Sequence, residues 1–203
     1  MKNQIKLIIL LALFGSISAC KKKATDPVPI VKASENPMAS ALVEVANSTF
    51  EMPNDYDNVG DHGFKFSPIV DGNITQLACK MPETGIYAVT LWEEYSNKPL
   101  RQKMVEQSTP GKLTYADIDP VKIIKDSKYF ITVNNVSNGI VKKYLAIDGK
   151  NKEIVKFPKV FGNIIMISPA YKNNTYLPSY PDGNDGIIIL FLMGLPDFTF
   201  IPN

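Results

Sequence analysis

The sequence predicts an all-β protein, an antiparallel two-sheet sandwich of jelly-roll type. Short runs of β-branched and aromatic residues recur along most of the chain, and several alternate with a period of two. Gly, Pro, Asn or Asp bounds each run, and almost no segment has the apolar period of a helix. Many short strands separated by polar turns are typical of sandwiches and not of helical or α/β domains.

The clearest strand signal lies between Gly63 and Tyr95, where turn residues separate three runs. The third run is apolar on both faces, which predicts an inner strand with one face on a second sheet and the other under a loop or flanking strand. Its faces are Ile86, Ala88, Thr90 and Trp92 on one side, and Tyr87, Val89 and Leu91 on the other. The short turns between the runs predict a β-meander.

Further runs predict strands towards the C-terminus. They are Leu100–Glu106, Lys112–Ala116, Val121–Ile124, Tyr129–Val133, Val141–Ile147, Ile154–Phe157, Ile164–Ile167, Ile187–Met193 and Phe198–Ile201. Asn138-Gly139 and Asp148-Gly149 are hairpin signals, and the first is expected to join the runs at 129–133 and 141–147. The run at 187–193 is apolar on both faces, so we expect it in the middle of a sheet. Residues 38–45 could form either a helical turn or an edge strand.

The N-terminus has the pattern of a signal peptide. Two lysines precede an apolar run from Leu7 to Phe14, which is too short to span a bilayer. The residues that follow, Ile17-Ser18-Ala19-Cys20, resemble the lipobox of bacterial lipoproteins. The resemblance implies a signal peptide at 1–19, an acyl anchor such as palmitate on Cys20, and a place in the bacterial cell envelope. In a Gram-negative cell we expect the outer membrane.

The rest of the chain divides into a tether and one domain. Residues 20–37 are rich in Pro and charge and predict a disordered linker, and residues 38–203 have the length of a single sandwich domain. Two of the 22 Lys and Arg lie in the signal peptide, so the mature chain has 20 basic and 20 acidic residues. This balance argues against a nucleic-acid partner. The basic run Lys21–Lys23 is expected either to meet anionic lipid headgroups or to be a solvated part of the tether.

A second resemblance rests on residues 63–134, which contain the patterns F-x-F-x-P, G-x-I-x-x-L and G-x-Y-x-V-x-L-W. These residues resemble an uncharacterised family of bacterial extracytoplasmic β-sandwich domains, whose members often accompany other sandwich modules in cell-surface or glycan-handling proteins. The family has no assigned active site, so the resemblance implies no catalytic residue. It implies a structural role for Trp92.

Residues with chemical potential are few and scattered. His62 is the only histidine, and Glu93 and Glu94 are neighbours that a strand would point to opposite faces, so we expect no catalytic residue and no metal site. Once Cys20 is lipidated, Cys79 has no disulfide partner and is expected to be a buried, inert thiol. The Gly-rich segment at 182–186 suggests calcium but lacks the spacing of a helical calcium loop, which favours a simple turn.

One segment carries a binding hypothesis. Residues 169–185 are predicted to be a long loop in which aromatic rings alternate with amide and carboxylate groups, a mixture suited to glycans. The candidate ligand-binding residues are Tyr171, Tyr176, Tyr180, Asp182, Asn184 and Asp185. The alternative is that the tyrosines pin the loop to the sandwich.

Three function classes follow from these observations. The leading hypothesis is a membrane-anchored, non-enzymatic envelope lipoprotein that binds a ligand, with a glycan as the candidate. The second is a structural or assembly lipoprotein that docks onto an envelope protein. A glycan-acting hydrolase is the least favoured, because it would need two carboxylates about 5–9 Å apart in one cleft.

Overall fold

The computed structural model describes residues 32–44, 49–52, 59–148, 157–182 and 191–203. These residues form antiparallel β-sheets with a short helix, which confirms the predicted all-β class. The elements are α1 (Pro37–Glu44), β1 (Thr49–Met52), β2 (Gly60–Pro68), β3 (Gly72–Cys79), β4 (Gly85–Glu93), β5 (Pro99–Gln107), β6 (Thr114–Ile123), β7 (Tyr129–Asn134), β8 (Val136–Ser137), β9 (Ile140–Val141), β10 (Tyr144–Asp148), β11 (Lys159–Phe161), β12 (Ile164–Asn173), β13 (Phe191–Met193) and β14 (Pro196–Pro202).

Two sheets contain most of the described strands. The larger has six strands in the order β11-β12-β2-β7-β4-β5, and the smaller has three in the order β14-β3-β6. A further sheet contains β1, β10 and β13, and β8 pairs with β9 in a short ribbon. One hydrophobic cluster includes residues of both main sheets, so their inner faces pack together.

The predicted β-meander is wrong. The strands β2 and β4 lie in the six-stranded sheet with β7 between them, whereas β3 lies in the smaller sheet between β14 and β6. From β2 to β7 the chain changes sheet at each connection except that from β4 to β5, as in Greek-key sandwiches, of which jelly rolls are one kind. Crossing between sheets lets consecutive strands bury their apolar faces against one another.

Aromatic side chains fill the space between the two main sheets. Phe66 of β2 and Phe198 of β14 are fully buried, and their ring centroids are 4.5 Å apart. Phe64 is also fully buried and lies 6.3 Å from Phe198. This contact joins the centre of the large sheet to an edge strand of the small one.

The two-faced character predicted for the third run is confirmed. β4 lies between β5 and β7, and Tyr87, Val89 and Leu91 belong to the main core. On the opposite face, Trp92 forms a second buried cluster with Phe130 and Ala170. We call the face that carries Trp92 the outer face of the six-stranded sheet.

Two other predicted runs are divided differently in the structure. Asn138 and Gly139 both have positive φ, 51° and 75°, as a two-residue hairpin turn requires, but they join β8 to β9 and not β7 to β10. The runs at 112–116 and 121–124 form one strand, β6, whose register on β3 shifts between Ile74 and Gln76. The bulge absorbs the residues that separated the two runs.

The ambiguous segment at 38–45 is helical over residues 37–44. Pro37 begins α1, a position where its missing N–H costs nothing. The amides of Met38 and Ala39 donate to the carboxylate of Asp197, each at 3.0 Å, so a strand residue caps the helix. Just before the helix, Glu35 pairs with β14: its amide donates to the carbonyl of Phe200 at 2.8 Å.

Several predictions fall on residues outside those described. They are the signal peptide, the lipidation of Cys20 and most of the tether, the turn at Asp148-Gly149, the strand at 154–157 apart from Phe157, and residues 187–190. Of the predicted run at 187–193, the structure describes residues 191–193, which form β13 and pair with β10.

Replacing Gly63 with Ala is expected to lower the free energy of unfolding by about 1–3 kcal/mol. A Cβ at this position would lie 1.9 Å from the carbonyl oxygen of Ile131 in β7, so the strand pair would have to separate. Gly111→Ala is the matched control, because a Cβ added there would meet nothing within 4 Å. The φ of Gly111 is +71°, so this substitution costs backbone strain but causes no steric clash. Urea unfolding of both variants measures the difference, and equal losses would contradict a steric origin.

Candidate functional site

The segment predicted to be a loop at 169–185 is partly a strand. β12 runs from Ile164 to Asn173, so its last five residues pair with β2, and Tyr171 lies opposite His62. Tyr171 is partly buried against the main core. The prediction was wrong for 169–173, because the ladder to β2 organises residues whose local sequence is that of a loop.

Residues 174–182, which we call the strap, continue from β12 across the outer face of the six-stranded sheet. Tyr180 meets Trp92 and Phe130 edge-on, with centroids 6.0 and 5.4 Å apart. Its hydroxyl donates to the carbonyl of Glu94 at 3.4 Å, and burial raises its pKa. Tyr180 therefore anchors the strap, as the alternative in the sequence analysis expected.

A buried carboxylate, that of Asp61 in β2, connects the strap to the sheet. The amide of Ser179 donates to it at 3.0 Å, and the Thr175 hydroxyl at 3.5 Å. From β7, Asn134 Nδ2 and the Thr132 hydroxyl donate at 3.0 and 3.2 Å. Burial raises the pKa of Asp61 to about 6, although these four hydrogen bonds lower it.

The polar network reaches the aromatic cluster through Thr132. Trp92 Nε1 donates to Thr132 Oγ1 at 2.9 Å, and that hydroxyl donates in turn to Asp61. Trp92 is only 5% exposed. The indole thus joins the second cluster to the Asp61 network.

An open groove of about 450 Å³ lies beside the strap, between the turns that follow β4 and β6. Its lining residues are Glu93, Glu94, Tyr95, Asp126, Ser127 and Lys128. The ring of Tyr95 is 97% exposed, and the amide of Glu94 donates to the carbonyl of Lys128 at 3.2 Å, which joins the two turns. The Glu94 carboxylate is paired with Lys65, and Ser96 donates to Glu93 at 2.7 Å.

Sequence reasoning missed this groove. The signal was a tyrosine in a wholly polar turn, Glu93-Glu94-Tyr95, where no core was available to bury it. The second turn could not be connected with the first, because it is about thirty residues further along the chain.

The remaining candidates for ligand binding do not form one cluster in the described residues. Tyr176 is 44% exposed on the strap, and the neighbouring Leu177 is 76% exposed. Asp182 is exposed and forms an ion pair with Lys172. Asn184 and Asp185 lie outside the described residues, and so does most of the segment considered for calcium. No group of three or more potential metal-ligating side chains occurs in the part of the chain that the structure describes.

The histidine and the free cysteine are both buried. His62 is 1% exposed and stacks on Tyr144 with ring centroids 4.1 Å apart. Cys79 is fully buried, its thiol lies 3.7 Å from Gln107 Oε1, and burial raises its pKa to about 12. A thiol with so high a pKa is almost entirely protonated at neutral pH, which agrees with the inert role predicted for it.

Comparisons with known proteins add no family or relative: no family model matches the chain, and no curated protein is significantly similar to it. Within the described residues, none of the helical structure has the length and apolar character needed to cross a bilayer.

Proposed function

We propose that this chain is a lipid-anchored lipoprotein of the bacterial envelope whose sandwich is a non-enzymatic binding module for an oligosaccharide. The lipobox at 17–20 supports the anchor and the location. The groove beside the strap, with the exposed ring of Tyr95, is the observation that supports binding.

The groove offers the two kinds of contact that sugars use. A pyranose has an apolar C–H face that packs on an aromatic ring, and Tyr95 presents such a ring at 97% exposure. Carboxylates and an ammonium group can exchange hydrogen bonds with hydroxyls, and Glu93, Asp126 and Lys128 line the same groove. A ring with polar groups beside it suits a glycan better than a wholly apolar ligand.

Replacing Tyr95 with Ala is expected to weaken oligosaccharide binding by about tenfold or more, since truncating a central aromatic contact costs about 1–2 kcal/mol. The substitution should leave the fold intact, because the ring is almost fully exposed. Calorimetric titration with a panel of oligosaccharides measures the change.

Tyr176→Ala is the matched control for that experiment. Tyr176 is an exposed tyrosine of the strap that does not line the groove, so this variant should bind as the unmodified chain does. Loss of binding in Tyr176→Ala but not in Tyr95→Ala would move the site onto the strap. The absence of heat with every sugar at millimolar concentration would contradict the glycan proposal.

A second candidate function is docking onto an envelope protein. β5 is an edge strand of the six-stranded sheet as described, and Met104 and Ile86 are 54% and 39% exposed on adjacent strands of its outer face. An edge with apolar side chains can accept a partner strand or surface. Crosslinking from position 86 tests this alternative, and a crosslinked envelope protein lost in Met104→Lys would favour it.

A further inference from the structure

One buried carboxylate is a point of attachment between the strap and the sheet; at the start of the strap, the amides of Asn174 and Thr175 also donate to the carbonyl of Val59, at 2.7 and 3.4 Å. Asp61 is fully buried, and two of its four hydrogen-bond donors, the Ser179 amide and the Thr175 hydroxyl, belong to the strap. The other two, on Thr132 and Asn134, belong to β7, and Asn134 Nδ2 also donates to the Thr175 carbonyl of the strap at 3.5 Å. Lifting the strap would thus remove half of the donors and admit water to the carboxylate.

The strap also covers the aromatic pair on the outer face. Tyr180 is the strap residue that packs against the cluster of Trp92, Phe130 and Ala170, and its hydroxyl reaches the carbonyl of Glu94 in the wall of the groove. Opening would expose two aromatic rings next to the groove.

We propose that the strap is a pH-dependent cover, closed over Trp92 and Phe130 when Asp61 is protonated and loosened when Asp61 is ionised.

The direction follows from proton linkage. Burial raises the pKa of Asp61 to about 6 in the closed form. In an open form water solvates the carboxylate, and its pKa returns towards the ordinary value of about 4. The closed form therefore binds the proton more tightly, so the ratio of closed to open molecules is greatest below pH 4 and falls as the pH rises through about 6. Two pKa units correspond to a change of up to about a hundredfold in that ratio.

The charged and titratable groups near Asp61 are already engaged with other partners. Lys172, opposite Asp61 on β12, forms an ion pair with Asp182 of the strap. Lys65, on the same face of β2, is paired with Glu94 and lies over the ring of Phe130. His62 is the next residue of β2, so its side chain points to the other face, where it stacks on Tyr144. None of these groups contributes to the raised pKa of Asp61, whose single upward cause is burial.

Hydrogen exchange of the Ser179 amide tests the proposal on the full-length chain in detergent. This amide is held by Asp61 and becomes free when the strap opens. After correction for the intrinsic rate, its protection is expected to fall by up to about 25-fold between pH 4.5 and 7.5, with most of the fall complete by about pH 6. Protection that does not change with pH would overturn the proposal.

Two variants separate strap opening from other titrations. Asp61→Asn stays neutral at every pH, so its Ser179 protection should no longer depend on pH; a retained fall between pH 4 and 6 would assign the effect to another group and overturn the proposal. Asp197→Asn is the matched control, because burial also raises the pKa of Asp197 to about 6, but its partners lie in α1, β6 and β14. The control should keep the pH dependence of the unmodified chain, and loss of that dependence would show that Ser179 exchanges through global unfolding and would overturn the proposal.

The proposal goes beyond the binding function proposed above and does not depend on it. The exchange measurement contains no sugar, so failure of the oligosaccharide titration leaves the result for the strap unchanged.

Discussion

Replacing Asp197 with Ala is expected to lower the free energy of unfolding by about 4 kcal/mol, because the substitution leaves several buried donors without an acceptor. The carboxylate accepts from the amides of Met38 and Ala39 at 3.0 Å each, from the amide of Phe198 at 2.9 Å and from the Tyr115 hydroxyl at 2.6 Å. It thus holds α1, β6 and β14 together at one point. Urea unfolding monitored by circular dichroism measures the loss.

Two substitutions on β6 calibrate this value. Tyr115→Phe removes one donor and leaves the carboxylate in place, so we expect a loss of about 1 kcal/mol. Asp119→Ala removes an 87% exposed carboxylate paired with Arg101, and we expect less than about 0.5 kcal/mol. An Asp197→Ala loss as small as that of Asp119→Ala would show that the helix does not depend on its cap.

The Asp197 variant also changes how stability depends on pH. Burial raises the pKa of Asp197 to about 6, so the folded chain keeps a proton that the unfolded chain releases near pH 4. The stability that this group contributes is fully present below pH 4 and is lost as the pH rises through 6. In Asp197→Ala the decline between pH 4 and 6 should be shallower, which unfolding curves at several pH values measure.

Replacing Phe198 with Ala is expected to lower the free energy of unfolding by about 3–5 kcal/mol. The ring is fully buried between the two main sheets and packs against Phe66 and Phe64 of β2. Truncation leaves a cavity between β14, at the edge of the small sheet, and β2, in the middle of the large sheet. These two strands cannot both move to fill it. Tyr95→Ala, which removes an almost fully exposed aromatic ring, should change stability by less than about 0.5 kcal/mol.

A double-mutant cycle with Phe66→Ala measures how much of the stability loss in Phe198→Ala comes from the contact between the two rings. The two rings are 4.5 Å apart, so Phe66→Ala and Phe198→Ala should couple by about 0.5–1.5 kcal/mol. Additive losses would contradict a direct contact between the sheets at this point.

Local sequence was enough for the class of the fold and the positions of most strands. Alternation in β4 placed Tyr87, Val89 and Leu91 on one face and Trp92 on the other, and the structure confirms both faces. Asn138-Gly139 predicted a hairpin turn, and both residues adopt positive φ. These features are readable because side-chain alternation and turn geometry depend on residues next to one another in the chain.

The candidate site was predicted only in part. Tyr180 was identified in the sequence as a residue that either binds a ligand or pins a loop, and in the structure its ring packs edge-on against Trp92 and Phe130. Tyr95 was not selected, because nothing in the turn after β4 indicated that the turn after β6 would face it across a groove.

Which strands pair, and which polar groups meet, depended on tertiary structure. Asp61 and Ser179 are 118 residues apart in the chain, and Tyr115 and Asp197 are 82 apart, so no local pattern connects them. A carboxylate needs hydrogen-bond donors from the protein only after the packed sheets have removed it from water. In the unfolded chain water supplies those donors, so the partners are set by the folded structure. The amino-acid order therefore specifies strands, turns and their apolar faces, whereas the strap, the groove and the helix cap arise only when distant strands pair.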